Sequence, residues 1–201
     1  MKIQVLMPMY KMMDAPCVIS LVDFMQSLSK EGHDANITFV SGFNAAKARK
    51  QLTEYAVSKS SEAEYVLWLD TDHVYRTETL YKLIERMDKD NLGMISATYT
   101  LHGCPDTAHG ITEDGKFRHF RQDELKKGVI DCQVVGFGFL VIRMDLLKKL
   151  WELYGEKLFI LDAQENCTED VKFCKCILDI GERVCFDSDV KVGHIELAVR
   201  Y

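Results

Sequence analysis

The stretch that decides how this chain reads is Tyr65-Val66-Leu67-Trp68-Leu69-Asp70-Thr71-Asp72-His73. Five apolar residues run straight into two carboxylates separated by one threonine. A short apolar run bounded by polar residues predicts a buried strand, with Asp70 and Asp72 at its carboxyl end. Open α/β sheets bind ligands at the carboxyl ends of their strands. Two carboxylates held there repel each other, and burial disfavours their ionised forms, unless something positive shares the site. A divalent cation meets that need, and carboxylate oxygens suit hard ions such as Mg²⁺ and Mn²⁺. Three readings stay open on these residues alone. Asp-x-Asp holds a metal on a nucleoside diphosphate; or it is a phosphatase motif with Asp70 as nucleophile and Asp72 as general acid; or it is a solvated loop that caps the next helix.

Toward the N-terminus, Ile3 to Met9 reads as a first buried strand, ended by Pro8. Asp14 suits a helix N-cap and Pro16 the first turn, where a missing N–H does no harm. Val18, Leu21, Val22, Met25 and Leu28 then share one helical face, and Gly32 stops the helix. Asn36 to Val40 is a second strand. Asn44 caps a helix with Ala45, Ala48, Leu52, Tyr55 and Ala56 as its stripe. Arg49 falls on nearly the same face, either snorkelling at the stripe's edge or aimed at the carboxylates or a phosphate. Beyond the Asp-x-Asp strand, Thr77 starts a helix with Leu80, Leu83, Ile84 and Met87 inside, and Gly93 to Thr98 is a fourth strand. This alternation predicts a single-domain α/β fold, with a mostly parallel, Rossmann-like sheet between helical layers.

From Tyr99 to Asp131 the periodicity is lost. Gly103, Pro105, Gly110 and a possible hairpin turn at Asp114-Gly115 punctuate a stretch that also carries His102, His109, Arg118, His119 and Arg121. Such a stretch reads as a binding loop or lid. Gln133 to Ile142 reads as a strand in which Gly136 and Gly138 mark a bulge or a close approach. A helix with Leu146, Leu147, Leu150, Trp151 and Tyr154 follows. Thr168 can cap another, whose first turn holds Glu169 and Asp170, where acidic groups complement the helix dipole. Val171, Cys174, Ile177 and Leu178 form its apolar side. A strand over Arg183 to Phe186 and a short run ending in Gly193-His194 come last.

Composition narrows the function. The net charge of −6 gives nucleic-acid binding no support, and an acidic protein with a phosphorylated ligand must screen itself locally. No stretch approaches the roughly 20 apolar residues of a membrane span, and no secretory signal is read in Ile3 to Met9. Seven cysteines without zinc-ligand spacing suggest reduced thiols and a cytoplasmic location.

Five pieces together carry a family resemblance: Ile3 to Tyr10; the Ala48-Arg49 helix; Asp70-Thr71-Asp72; Val135-Gly136-Phe137-Gly138-Phe139-Leu140-Val141-Ile142-Arg143; and Glu169-Asp170-Val171-Lys172-Phe173-Cys174 with Gly181 and Val192-Gly193-His194. In this order the chain resembles GT-A fold, nucleotide-sugar-dependent glycosyltransferases of the Asp-x-Asp type. The resemblance implies a hexosyltransferase-type enzyme using Mn²⁺ or Mg²⁺. It would take a UDP- or GDP-sugar donor and a glycan, glycoprotein or lipid acceptor. Asp72, Asp70 and His194 would hold the metal; Pro8, Met9, Tyr10, Arg49 and Thr71 would complete the donor site. Gly136 and Phe137 would line the acceptor side. In inverting members an acid at Glu169-Asp170 deprotonates the acceptor hydroxyl, with Asp170 the first choice here and Glu169 the alternative. Residues 1–98 would form the nucleotide-sugar half and 99–201 the acceptor half.

The alternatives fit less well. The haloacid-dehalogenase type of phosphatase places its nucleophile after the first core strand and needs a late Gly-Asp pair, which this chain lacks. A nucleotidyltransferase usually opens with a glycine-rich loop, and Pro8-Met9-Tyr10-Lys11 is not one. A non-catalytic nucleotide-sugar binder would carry the same donor residues and separates from an enzyme only by turnover.

Overall fold

The computed structural model describes residues 1–10, 12–42, 44–101, 103–114, 116–160 and 168–195. The first half runs β1 (Lys2–Met9), α1 (Ala15–Lys30), β2 (Asp34–Ser41), α2 (Ala45–Lys59), β3 (Tyr65–Leu69), β4 (His73–Val74), α3 (Thr77–Asp90) and β5 (Met94–Thr98). The second half runs β6 (Asp106–Glu113), β7 (Lys116–Arg121), β8 (Val129–Asp131), β9 (Phe139–Arg143), α4 (Met144–Tyr154), α5 (Glu169–Asp179), β10 (Cys185–Lys191) and β11 (Gly193–His194).

Seven strands form the central sheet in the order β2-β1-β3-β9-β5-β10-β8. β1 pairs in parallel with β2 and β3, and β10 with β5, whereas β9 is antiparallel to both β3 and β5. The α/β expectation with a mostly parallel sheet therefore holds. Strand alternation divides the core into two layers. Tyr65, Leu67 and Leu69 of β3 join the cluster under α1 and α3, while Val66 and Trp68 join the one under α2, α4 and α5. No helix among the described residues is long and apolar enough to cross a membrane.

The structure revises several helix faces. On α1 the buried residues are Cys17, Ser20, Leu21, Phe24 and Leu28, and Val18 and Val22 are exposed. Ser20 can turn inward because its hydroxyl donates to the Cys17 carbonyl and accepts the Tyr75 N–H. Phe24 then packs edge-on against Tyr75 and Phe139. On α2, Ala46, Arg49 and Thr53 are buried, while Ala45 and Tyr55 face solvent. On α5, Phe173, Cys174, Cys176 and Ile177 face the core, and Val171 and Leu178 face a groove. β1 continues past Pro8, pairing with β2 as far as Met9↔Ser41. Its pairing with β3 ends at Leu6↔Trp68, so Pro8 lies where only one neighbouring strand remains.

The second half holds the larger corrections. The stretch read as an irregular lid contains an ordered antiparallel hairpin, β6 with β7. Its alternating pattern is broken by a register shift between Asp106 and Gly110, which hides the period of two. Asp114 sits in the turn with a left-handed φ of 51°; Gly115 and His102 lie outside the described residues. Of the strand expected over Gln133 to Ile142, only β9 from Phe139 is regular. Gly136 and Gly138 lie before it, where other side chains crowd the backbone: a Cβ at Gly138 would come within 2.6 Å of His73 Nε2, and one at Gly136 would strike the Tyr99 hydroxyl. The last central strand begins at Cys185 rather than Arg183 and runs to Lys191.

Candidate functional site

Asp70, Thr71 and Asp72 form the turn between β3 and β4, at the carboxyl edge of the parallel strands. Four contacts from other elements hold it. The Asp70 carbonyl accepts from the Tyr75 hydroxyl and, at 3.9 Å, from Cys17 Sγ. The Thr71 carbonyl accepts from Asp14 N–H at 3.4 Å, and the Asp72 carbonyl from Ile195 N–H at 2.8 Å.

Beyond the turn, β4 pairs with β11 so that His73 lies opposite His194. The two rings stack at 4.4 Å with planes 12° apart, and Tyr99 meets both edge-on. This two-strand ribbon brings Asp72, His73 and His194 together, with ligand-type atoms within 4.8 Å of one another. Asp72 Oδ1 lies 2.7 Å from His73 Nδ1, and Asp72 Oδ2 lies 3.3 Å from His194 Nε2. His194 Nδ1 is 2.7 Å from the Thr100 carbonyl, which can only accept, so Nδ1 carries a proton. Nε2 faces the Asp72 carboxylate, near enough for a direct hydrogen bond or for both atoms to share one cation. For an ion with bonds of about 2.1 Å, adjacent ligand atoms sit about 3 Å apart. Asp72 and His194 therefore fit a divalent ion. His73 supports them from behind, with Nδ1 bonded to Asp72 and Nε2 turned toward Gly138. Burial acts to raise the Asp72 pKa, but hydrogen bonds and charge from His73 and His194 outweigh it and hold the carboxyl well below its ordinary range.

Asp70 is placed elsewhere. Its Oδ1 accepts from Arg49 Nη2 at 2.9 Å, and Arg49 Nε reaches Glu169 Oε1 at 3.4 Å. Arg49 arrives from the inner face of α2 and lies over the Phe137 ring at 4.4 Å and Trp68 at 5.5 Å. Its side chain is 6% exposed. Burial works against its charge, but Asp70 and Glu169 more than restore it, so it stays a guanidinium. Arg49 Nη1 is buried with no hydrogen-bond partner among the described residues. Phe137 is itself buried, and so forms the floor under Arg49 rather than an open wall.

Two cavities meet at this guanidinium. A smaller one of about 290 Å³ is bounded by Pro8, Met9, Tyr10, Thr71 and Asp72. A larger groove of about 980 Å³ is bounded by Gly136, Phe137, Asp170, α5 and the β6–β7 hairpin. Arg49, Asp70 and Glu169 line both. Tyr10 is 66% exposed at the mouth of the smaller cavity. Glu169 and Asp170 open α5 but have different surroundings. Glu169 is tied to Arg49, whereas Asp170 Oδ1 accepts from the Thr168 hydroxyl and, at 2.8 Å, from Val171 N–H. Thr168 thus reaches the Asp170 carboxylate instead of capping the helix backbone.

His73 was not legible as a site residue. Its signal was only its position after Asp72, and what makes it matter is a pairing with residues near the other end of the chain. Phe117, His119 and Thr112, which line the groove, lay in the stretch read as irregular.

The family model "Glycosyl transferase family 2" matches residues 19–151. No curated protein sequence matches the chain. Among solved structures, A197 from STIV is similar with a TM-score of 0.62 and 16% identity, over 100% of this chain and 97% of that one. S. aureus TarS 1-349, solved in complex with UDP-GlcNAc, is similar with a TM-score of 0.58 and 16% identity, over 100% of this chain and 60% of that one. At this identity the two structures speak to the fold, which is the GT-A arrangement described above. The family match covers more than half of the chain, and so the chain belongs to glycosyl transferase family 2 and is a glycosyltransferase.

Proposed function

We propose that this glycosyltransferase moves a sugar from a nucleoside-diphosphate sugar to an acceptor hydroxyl, with a divalent cation, Mn²⁺ or Mg²⁺, and with inversion at the anomeric carbon. The observation that carries the reading is the junction at Arg49. There a small cavity beside Asp72 and His194 meets a large groove beside Asp170. Residues 1–98 supply most of the donor side and 99–201 the acceptor side and base.

On the donor side, Tyr10 offers a ring to the nucleobase, and Pro8, Met9 and Thr71 shape the cavity around it. Asp72 and His194 would hold the ion, with His73 fixing the Asp72 carboxylate. A bound divalent ion supplies positive charge to the departing diphosphate. Asp70, fixed by Arg49, faces the sugar or ribose. UDP is the first donor nucleotide to try, given the UDP-GlcNAc in the complex of TarS.

On the acceptor side, Asp170 is the better base. Glu169 is already engaged by the Arg49 guanidinium at Oε1, which holds it against the inner face of the site. Asp170 is oriented by hydrogen bonds at Oδ1, which leaves Oδ2 to take the hydroxyl proton. The hydroxyl oxygen then attacks the anomeric carbon from the groove side while the diphosphate leaves. Five of the six cysteines among the described residues are buried, which suits a cytoplasmic protein.

The test is calorimetric titration of UDP, GDP and ADP with and without Mn²⁺, on the wild type and Asp72→Ala. One diphosphate should bind in a metal-dependent way and lose that binding in the variant. No binding of any diphosphate in either condition would refute the donor site. Proton NMR of the first-formed product reads the stereochemistry, and retention of the donor's configuration would remove Asp170 as a single-displacement base.

A further inference from the structure

The β6–β7 hairpin has two chemically distinct faces. Pairing sets Thr112 opposite Phe117 and Gly110 opposite His119, so these four residues share one face. Thr112, Phe117 and His119 line the large groove. The opposite face carries Arg118, bonded to Glu113 at 2.7 Å and also to Glu124. The hairpin therefore turns an aromatic residue toward the groove and its charged residues away from it.

Phe117 is held in place. Its ring lies on the bare Cα of Gly110, where any Cβ would strike it. The His119 ring meets it at 5.1 Å and 84°. An aromatic ring covering a cross-strand glycine is a known way to stabilise a hairpin, and it explains the orientation of the ring. It does not explain why the ring is still 47% exposed within a groove that leads to Asp170. A single exposed phenylalanine is ordinary on a protein surface. Here the exposed ring is pinned from behind, so little conformational freedom remains to be lost when something settles on it.

We infer that Phe117 is a stacking platform for a sugar ring of the acceptor, so that the acceptor is a saccharide; this rests on the reading of the groove as the acceptor side. The electron-rich face of the aromatic ring attracts the weakly positive C–H bonds on the apolar face of a pyranose. The polar part of the lining, Thr112, Gln133, Thr168 and Lys175, matches the hydroxyl-bearing rim of such a ring, and it stands among apolar groups such as Leu101 and Val134. A lipid chain would leave these polar groups without partners, whereas the hydroxyls of a sugar would engage them. At about 980 Å³ the groove has room for more than one sugar ring.

The experiment is saturation-transfer NMR, with calorimetry, using methyl β-D-glucopyranoside, cellobiose, chitobiose and mannobiose as saccharide probes and dodecyl phosphate as the lipid-type probe. It compares wild type, Phe117→Leu and Phe117→Trp, with circular dichroism melting to verify folding. Leucine keeps Gly110 covered but removes the aromatic face; tryptophan keeps both. At least one saccharide should bind the wild type through its ring C–H protons. Its Kd should weaken about tenfold in Phe117→Leu and return to near the wild-type value in Phe117→Trp. The inference fails if no saccharide binds the wild type, if Phe117→Leu binds as well as the wild type, or if only dodecyl phosphate binds. The titrations omit nucleotide and metal. Saccharide binding without any diphosphate binding would sink the donor reading alone, and the reverse pattern would sink this inference alone.

Discussion

The half of the molecule up to Thr98 and the half after it contribute to the same site by different means. Before Thr98, each site residue sits where its own element puts it. Arg49 faces inward because α2 buries that side, and Asp70 and Asp72 follow β3 directly. After Thr98, Asp170 is set by its neighbours Thr168 and Val171, but the other contributions depend on a partner across a strand pair or in another element. His194 reaches Asp72 through the β4–β11 pair, Glu169 is joined to Arg49, and Phe117 rests on Gly110 across a hairpin. The contrast suggests a division of labour: the first half fixes charges in a set geometry, and the second brings side chains to them.

The strongest challenge to this contrast is Asp72→Ala. It should take metal-dependent diphosphate binding below detection in calorimetry, although His194 and His73 remain. Retained binding would mean that the ion site does not depend on the carboxylate that follows β3. Next, Asp170→Asn should lower kcat about 10³-fold, the range for loss of a general base, while Glu169→Gln should cost about tenfold. Equal losses would merge the two acids into one role. Arg49→Met should leave Asp70 and Glu169 without their shared cation and destabilise the fold by about 3 kcal/mol in urea melts. Arg49→Lys should recover only part of this, because an ammonium lacks the fork that reaches both carboxylates.

His73 probes the border between the halves. His73→Gln should weaken Mn²⁺ binding about 10- to 100-fold, the usual cost of removing a partner that orients a ligand. His73→Asn, whose amide can stand where Nδ1 stood, should bind nearly as the wild type. Equal loss in both variants would make the ring a packing element only. The last test lies deeper in the second half. His109 is fully buried on β6, donates Nε2–H to the Ala97 carbonyl and stacks on Phe186 at 4.2 Å. Burial lowers its pKa from 6.5 to about 3. The unfolded chain binds that proton first as pH falls, so this share of stability is complete above about pH 6.5 and is lost toward pH 3. His109→Phe should flatten the stability profile in that window, measured by thermal melts from pH 7 to 4.

The same division explains what could be read in advance. Strand β3 and its two carboxylates were legible because a five-residue apolar run ends where they begin. Arg49 was legible because helical spacing puts it beside Leu52 and Ala56. The inner face of α1 differs from the one expected because Cys17, Ser20 and Phe24 turn inward, Ser20 through its bonds to Cys17 and Tyr75. The glycines at 136 and 138 gave notice of a close approach but not of what approached, since Tyr99 and His73 come from other elements. β4 and β11 have two residues each, too few for any period to show.

That short ribbon also gives the molecule a fastener. More than half of the chain separates His73 from His194, and closing so long a loop carries an entropic cost that grows only slowly with its length. An ion gripped by Asp72 and His194, as proposed, would act as a removable cross-link across it. Because such an ion has no comparable grip on the unfolded chain, its occupancy would add directly to resistance against unfolding. Detaching β11 would in turn dismantle the ion's seat, so docking of this strand and retention of the cation become one shared equilibrium.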